Sequence, residues 1–312
     1  MKTIVTMTMN PAIDKSSSVG HVIAERKLYC KPPRFEPGGG GINVTRAIKK
    51  LGGESFALYP SGGPTGEMLR YLFEQEGLDH RPIPFNGWTR ESLAILEEST
   101  GQQYRFGMPG PHLSEAEWQR CLHELSSINS KLDFIVASGS LPPGVPEDFY
   151  ARVARIGKDI GAQVVVDTSG EALRLALSEG VYLIKPNIRE FRELIGAGVG
   201  EESEIKNMAM EIVRSGQSKA VVISLGAAGI LMVSQEGHEH IQPPTVPIVS
   251  KVGAGDSTVA GIVLSLARGN ALRDAIRFGV AAGSAAVMTP GTELCRREDT
   301  ERLYEQMTLE SV

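Results

Sequence analysis

The chain has few cysteines, few aromatic residues and no excess of positive charge, and each shortage narrows what it can be. Cys30, Cys121 and Cys295 are the only cysteines in 312 residues, far apart and without CxxC or His–Cys spacing. They give no sign of a disulfide framework and read as reduced, structural thiols of a cytoplasmic protein. The formal net charge is −5, and no basic stripe stands out, so no nucleic-acid or anionic-membrane partner is expected. No apolar run approaches a membrane span, and the stretch from Met1 to Met7 alternates like a first strand, unlike a signal peptide. A GxxxxGK[ST] loop is missing, which argues against a P-loop nucleotide site. Internal repeats, low-complexity tracts and disordered linkers are also missing.

What is present is a regular alternation of strand-like and helix-like patterns. Ile4–Met9, Phe56–Tyr59, Phe134–Ala137, Val164–Asp167 and Ala220–Ser224 read as strands. The last three are continuous apolar runs, suited to strands covered on both faces. Helical periodicity covers Asn43–Leu51, Thr65–Glu76, Ser114–Ser127, Glu147–Ile156, Ala172–Ser178 and Glu204–Arg214. It returns in Val259–Ala267, Leu272–Met288 and Glu298–Met307. This predicts a doubly wound α/β layer architecture, one domain over 1–312. Val19–Phe35 and Phe85–Phe106 break the rhythm with strand-like alternation, the second as a hairpin turning at Ser99-Thr100-Gly101. Together they predict a small sheet standing off the main one, as a lid, a dimer surface, or both.

The most informative segment is Val252–Ser257, where Gly253, Ala254 and Gly255 run into Asp256 ahead of a helix of small residues. Glycines at such a turn let backbone N–H groups converge, and the helix adds the positive end of its dipole. That suits an anion or a developing negative charge. Asp256 would repel the anion unless it accepts a proton; the alternative is an Asp N-cap in a glycine-rich loop. The run Gly38-Gly39-Gly40-Gly41-Ile42-Asn43 also leads into a helix, but Asn43 breaks any dinucleotide fingerprint. Plain turn chemistry is its alternative.

Three further segments carry polar groups. Ser224, Gly226 and Gly229 follow a buried strand, either as a hairpin or as a backbone surface for a ring or phosphate. After Lys185 and Pro186, Asn187 and Glu190 have capping-box spacing, or they order the water shell of Mg²⁺. Asp14 falls just beyond the first strand, where doubly wound sheets bind ligands. Arg90 and Arg105, on opposite arms of the hairpin, can clamp a phosphate or stand solvated at a sheet edge.

Jointly, Gly38–Asn43, Lys185–Glu190 and Val252–Ser257 resemble the N-terminal signature, the N-x-x-E motif and the C-terminal signature of the ribokinase-like (PfkB) carbohydrate kinase family. The resemblance extends over essentially the whole chain. Phe35–Val44, Trp88–Arg90, Gln103–Phe106 and Ser138–Gly144 are similar to the branch that phosphorylates fructose 6-phosphate. It implies a ribokinase-like three-layer α/β/α sandwich with a small β-sheet lid, formed by about residues 15–35 and 85–107, that also builds a homodimer. The implied activity is ATP-dependent conversion of fructose 6-phosphate to fructose 1,6-bisphosphate, in glycolysis. Kinases of tagatose 6-phosphate or fructose 1-phosphate are the alternative; they typically carry lysine inside the glycine run, where this chain has glycine. A non-catalytic sugar-phosphate sensor is the alternative of another class, and retention of Asp256 argues against it.

The resemblance also assigns roles by position. Asp256 is the implied base, and Gly253, Ala254 and Gly255 steady the transferring phosphoryl. Asp14, Gly39, Gly40, Asn43, Arg90, Arg105 and Ser140 are implied to hold the sugar phosphate. Lys185, Asn187, Ser224, Gly226 and Gly229 are implied to line the ATP site, with Glu190, and Asn187 through water, organising Mg²⁺. A K⁺ site is implied near Ser250, Val252 and Ala286. Lys251, where relatives usually have threonine, is expected to weaken or replace K⁺. Lys27, in the lid, matches a contact to a second, inhibitory ATP.

Overall fold

Short strands that alternate between two apolar faces build the main sheet of the molecule. In the computed structural model, which describes residues 2–128, 131–196 and 202–309, these strands are β1 (Ile4–Met7), β4 (Phe56–Ser61), β5 (Asp79–Pro84), β8 (Phe134–Ser138), β9 (Gln163–Asp167), β10 (Val181–Ile184), β11 (Ser218–Ser224), β12 (Ile230–Ser234) and β13 (Gly237–Ile241). Their order across the sheet is β13-β12-β11-β10-β9-β8-β1-β4-β5. The pairings from β5 to β11 are parallel, and β12 and β13 close one edge as antiparallel strands.

The period of two decides which layer each side chain joins. Val5, Ile135, Val164 and Val166 face one buried cluster, whereas Ile4, Phe134, Val136 and Val165 face the other. The first cluster is covered by α3 (Glu115–Ser126), α4 (Phe149–Ile160), α5 (Gly170–Glu179), α6 (Ile188–Ile195) and α7 (Glu202–Arg214). The second is covered by α1 (Gly40–Lys50), α8 (Ala254–Ala267), α9 (Leu272–Val287) and α10 (Arg297–Leu309). The expected three-layer sandwich is the observed one. A third cluster lies under α2 (Gly63–Gln75), where Tyr59 and Phe73 stack at 4.7 Å. Among the described residues, no helix is long and apolar enough to cross a membrane.

The second sheet has order β3-β2-β6-β7, from β2 (Ala12–Val19), β3 (Arg34–Gly38), β6 (Arg90–Glu97) and β7 (Gln103–Gly107). The expected hairpin around Ser99–Gly101 is there, with Ala94 opposite Arg105. The expected strand over Val19–Phe35 is corrected. Strand structure ends at Val19 and resumes at Arg34, and everything from Gly20 to Arg34 is exposed. Alternation there has no buried face to answer to, and Pro32 and Pro33 cannot donate to a ladder. Sequence reading passed over β5, β10, β12 and β13, and reached only the last residue of β2. β5 carries two prolines at the sheet edge, and β10 has only four residues.

Candidate active site

The predicted polar residues come from loops at the carboxyl ends of the strands, as expected of an open parallel sheet. β1 leads through Asn10 to Asp14, β8 to Gly139 and Ser140, β9 ends at Asp167, β10 leads to Lys185, and β11 ends at Ser224. Two helix N-termini converge there. In α1, the first intrahelical bond runs from the Asn43 N–H to Gly39 O at 2.8 Å, and in α8 from the Ser257 N–H to Gly253 O at 2.8 Å. The N–H groups ahead of each bond are left for a ligand. Both caps are glycines with positive φ, 110° at Gly39 and 74° at Gly253. This conformation disfavours any residue with a Cβ.

Asn43 joins the two helices by donating from Nδ2 to Asp256 Oδ2 at 2.9 Å. Its Oδ1 is buried without a partner, an acceptor aimed at a missing donor. Asp256 is pushed up to about 6. Burial is the main cause, with Asp167 adding repulsion and Asn43 and Lys185 opposing. A carboxylate poised there is suited to taking a proton near neutral pH. Lys185 is itself buried, 3.2 Å from Asp167 Oδ1. Burial works against its ammonium, but Asp167, then Asp256 and Glu190, hold it charged above the usual lysine value. A Cβ on Gly255 would come 3.4 Å from Lys185 Nζ, so this cation reaches the glycine turn.

Next to Asp256 opens a cleft of about 450 Å³ between the main body and the second sheet. Of the predicted sugar-phosphate residues, Asp14, Gly39, Gly40, Asn43, Arg90 and Arg105 all line it, with Val252, Gly253 and Asp256. Asp14 is pushed up to about 6 by burial, against the pull of Arg46, Arg90 and Arg105. Arg90 is preoriented: Nε and Nη2 donate to Asn10 O at 3.3 and 3.1 Å, and Nη1 donates to Ser92 Oγ at 3.0 Å. Ser140 is exposed beside the cleft, where its hydroxyl accepts from Asn10 Nδ2 at 3.0 Å. Sequence reading missed Ser16, Ser92, Gln103, Gly291 and Thr292 in the wall. The period of two from Asp14, Arg90 and Arg105 would have found Ser16, Ser92 and Gln103; nothing local marks Gly291 and Thr292.

The predicted nucleotide residues stand together on the other side of Lys185. A parallel bridge joins Asn187 to Ser224, and the Ser224 N–H reaches Pro186 O at 3.0 Å. Gly226 and Gly229 follow at positive φ. Asn187 and Glu190 form a capping box, with Asn187 Oδ1 accepting from the Arg189 and Glu190 N–H groups and Glu190 Oε2 accepting from the Asn187 N–H. The donors around Lys185 are carboxylate and amide oxygens. Among the described residues, no cluster of three or more His, Cys, Asp or Glu could hold a metal directly. That set fits a hard cation such as Mg²⁺, which keeps most of its water.

Around Ser250, Val252 and Ala286 the chain offers hydroxyls and backbone carbonyls. Ser250 Oγ donates to Gly291 O at 3.1 Å, and Thr289 Oγ1 donates to Ala286 O at 2.8 Å. An oxygen-only set of this kind suits a hard cation. Lys251 is exposed in this turn. Lys27 is exposed in the irregular stretch after β2, 5.2 Å from the centre of the Tyr29 ring.

The chain is 45% identical over 302 residues to the ATP-dependent 6-phosphofructokinase isozyme 2 of Mycobacterium tuberculosis (strain ATCC 25618 / H37Rv), covering 97% of this chain and 89% of that one. Its fold is similar to phosphofructokinase-2 from Escherichia coli in complex with potassium, with TM-score 0.95 and 42% identity over 99% of this chain and all of that one. The same enzyme in complex with fructose-6-phosphate gives TM-score 0.93 and 41% identity, with 99% of this chain and 100% of that chain covered. Residues 4–299 match the pattern of the pfkB family carbohydrate kinases, and the chain belongs to that family.

Proposed function

We propose that the chain is an ATP-dependent 6-phosphofructokinase that transfers a phosphoryl group to the C1 hydroxyl of fructose 6-phosphate. The observation that carries this reading is the 2.9 Å contact between Asn43 and Asp256, which sets a proton acceptor between two helix N-termini at the mouth of an arginine-lined cleft. The relatives' names supply the sugar phosphate.

In this reading Arg90 and Arg105 hold the sugar's existing phosphate. Asp14 and the open Oδ1 of Asn43 take its hydroxyls, which brings the acceptor hydroxyl to Asp256. The Asp256 carboxylate removes that proton as the new oxygen–phosphorus bond forms and the bond from the γ-phosphorus of ATP to its bridging oxygen breaks, so that ADP leaves with that electron pair. The N–H groups of Gly253, Ala254 and Gly255 steady the charge on the transferring phosphoryl, and Lys185 offsets it from the nucleotide side. Mg²⁺, when bound through water to Glu190 and Asn187, supplies further neutralisation of the phosphates. The second sheet acts as the lid that keeps competing water out. Exposed Leu96 and Phe106 on this sheet, with exposed Val22, Ile23, Leu28 and Tyr29 in the stretch joining β2 to β3, support a homodimer through the lid.

A coupled assay of ADP release over hexose phosphates tests the substrate. Fructose 6-phosphate should give the highest kcat/KM; a higher value for tagatose 6-phosphate or fructose 1-phosphate would overturn the assignment. Arg105→Met should raise the KM for fructose 6-phosphate about 10- to 100-fold, as expected for losing hydrogen bonds to a charged group, and leave the KM for ATP in place. Steady-state kinetics with each substrate varied in turn separates the two.

K⁺ binding at the 250–252 turn belongs to the same reading. The exposed Lys251 leaves a repulsion that salt screens. In Lys251→Thr, half-activation should require roughly three- to fivefold less K⁺ at low ionic strength. An unchanged K⁺ titration, with a bulky organic cation as the control, would refute it.

A further inference from the structure

Among the described residues, the largest fully buried side chain is an arginine outside the cleft. Arg46, on α1 just past the glycine run, is 2% exposed. A guanidinium taken out of water needs every N–H answered, and each nitrogen is. Nε donates to Glu76 Oε1 and Oε2 at 3.0 and 2.9 Å. Nη1 donates to Pro37 O at 3.2 Å and to Thr292 O at 3.1 Å. Nη2 donates to Glu36 Oε1 at 3.0 Å and Glu76 Oε1 at 2.8 Å. Glu36 then accepts the Thr292 hydroxyl on its other oxygen.

These bonds tie together three pieces of chain. Glu36 belongs to β3, and its neighbour across the ladder on β2 is Asp14. The packing is close, since a Cβ on Gly38 would lie 2.4 Å from the Asp14 carboxyl group. Thr292 and Gly291 belong to the main body and line the cleft beside Gly253 and Asp256. Glu76 ends α2, which anchors the guanidinium from below. The root of the second sheet is therefore fastened to the wall that carries the transfer chemistry.

We propose that Arg46 is a positioning residue: through Glu36 and Thr292 it fixes the second sheet on the main body and so sets Asp14 against Asp256. It touches no substrate. The inference rests on the sugar-phosphate kinase reading, because it assigns Asp14 to the sugar and Asp256 to proton transfer. A lysine in its place keeps the charge but cannot span three partners.

The test uses the full-length enzyme and three variants. Thr292→Val removes one hydroxyl and little volume; it should raise the KM for fructose 6-phosphate roughly 3- to 10-fold, while the KM for ATP stays within about twofold. Arg46→Lys should raise the sugar-phosphate KM by about 10-fold or more, again without moving that for ATP. Glu36→Gln gives a readout that a merely structural contact would not move. Asp14 is faced by Arg46 on α1, Arg90 on β6, Arg105 on β7, Glu36 on β3 and Asp256 on α8. Neutralising Glu36 removes a repulsion, so the acid limb of fructose 6-phosphate binding should move to lower pH than in wild type. The idea is overturned if folded Thr292→Val and Arg46→Lys keep the wild-type KM for fructose 6-phosphate, if both substrates weaken equally, or if the Glu36→Gln limb does not move. Failure of the substrate assignment shows separately, as wild-type enzyme that prefers another sugar phosphate; the variants are then read with that one.

Discussion

Asp256→Asn should lose about 10²- to 10⁴-fold in kcat, the range of a general base, while binding fructose 6-phosphate nearly as well as wild type. The amide keeps the shape and can still accept from Asn43 Nδ2, which donates to Oδ2 at 2.9 Å. Only the proton acceptor is lost. Unchanged turnover, measured beside fructose 6-phosphate binding by calorimetry, would remove Asp256 from that role. In wild type the same group sets an acid limb in kcat/KM near pH 6, because Asp256 is pushed up to about 6 in the unliganded protein.

The same substitution should make the protein more stable, and the sign follows from linkage. The folded-state value of about 6 lies above the ordinary carboxyl value of 3.8. Between those two, the folded protein holds a proton that the unfolded chain has released, so stability falls as pH rises through that window. Above pH 6 the whole cost is present, at most about 3 kcal/mol for a shift of this size. Asn carries none of it. The gain in Tm should therefore be several degrees at pH 8 and only about a third of that at pH 4.5. An equal gain at both pH values would show that the buried charge is not its cause.

Gly253→Ala should reduce kcat by about 10² or more and lower Tm as well. Two costs combine at this position. The residue sits at φ 74°, where a Cβ is strained by about 1–3 kcal/mol. That Cβ would also stand 2.3 Å from Leu294 Cδ2, a fully buried side chain that cannot swing aside. The turn must open, and the N–H groups of Ala254 and Gly255 then lose their common focus. Gly161→Ala, outside the site, is the control, since φ there is also 74° but a Cβ meets nothing within 4 Å. A kcat loss in Gly253→Ala no larger than in that control would show that turn strain alone decides the outcome.

The elements legible in the sequence were those whose local pattern and tertiary setting agree. Val164–Asp167 reads as a doubly covered strand because both of its faces meet apolar layers. The glycine turns at Gly39 and Gly253 read as anion sites because left-handed backbone has a residue preference that survives in a bare sequence. Hidden features depend on partners far away in the chain. Thr292 has no local reason to line a cleft, and Arg46 has none to be buried; both follow from Glu36, 256 residues from Thr292 and ten from Arg46. The stretch from Gly20 to Arg34 misled for the converse reason, since its alternation has no buried surface to match.

The place of β1 in the sheet also governs how the chain can be made. This strand ends inside the sheet, where Ile4 pairs with Phe134 roughly 130 residues later. At about 5–20 residues per second, it waits on the order of ten seconds for that neighbour. Meanwhile β4 can cover one flank, but the other remains an open row of N–H and C=O groups on an apolar strand. Nascent chains stalled before β8 should therefore engage holdase chaperones, and release should begin as β8 leaves the exit tunnel.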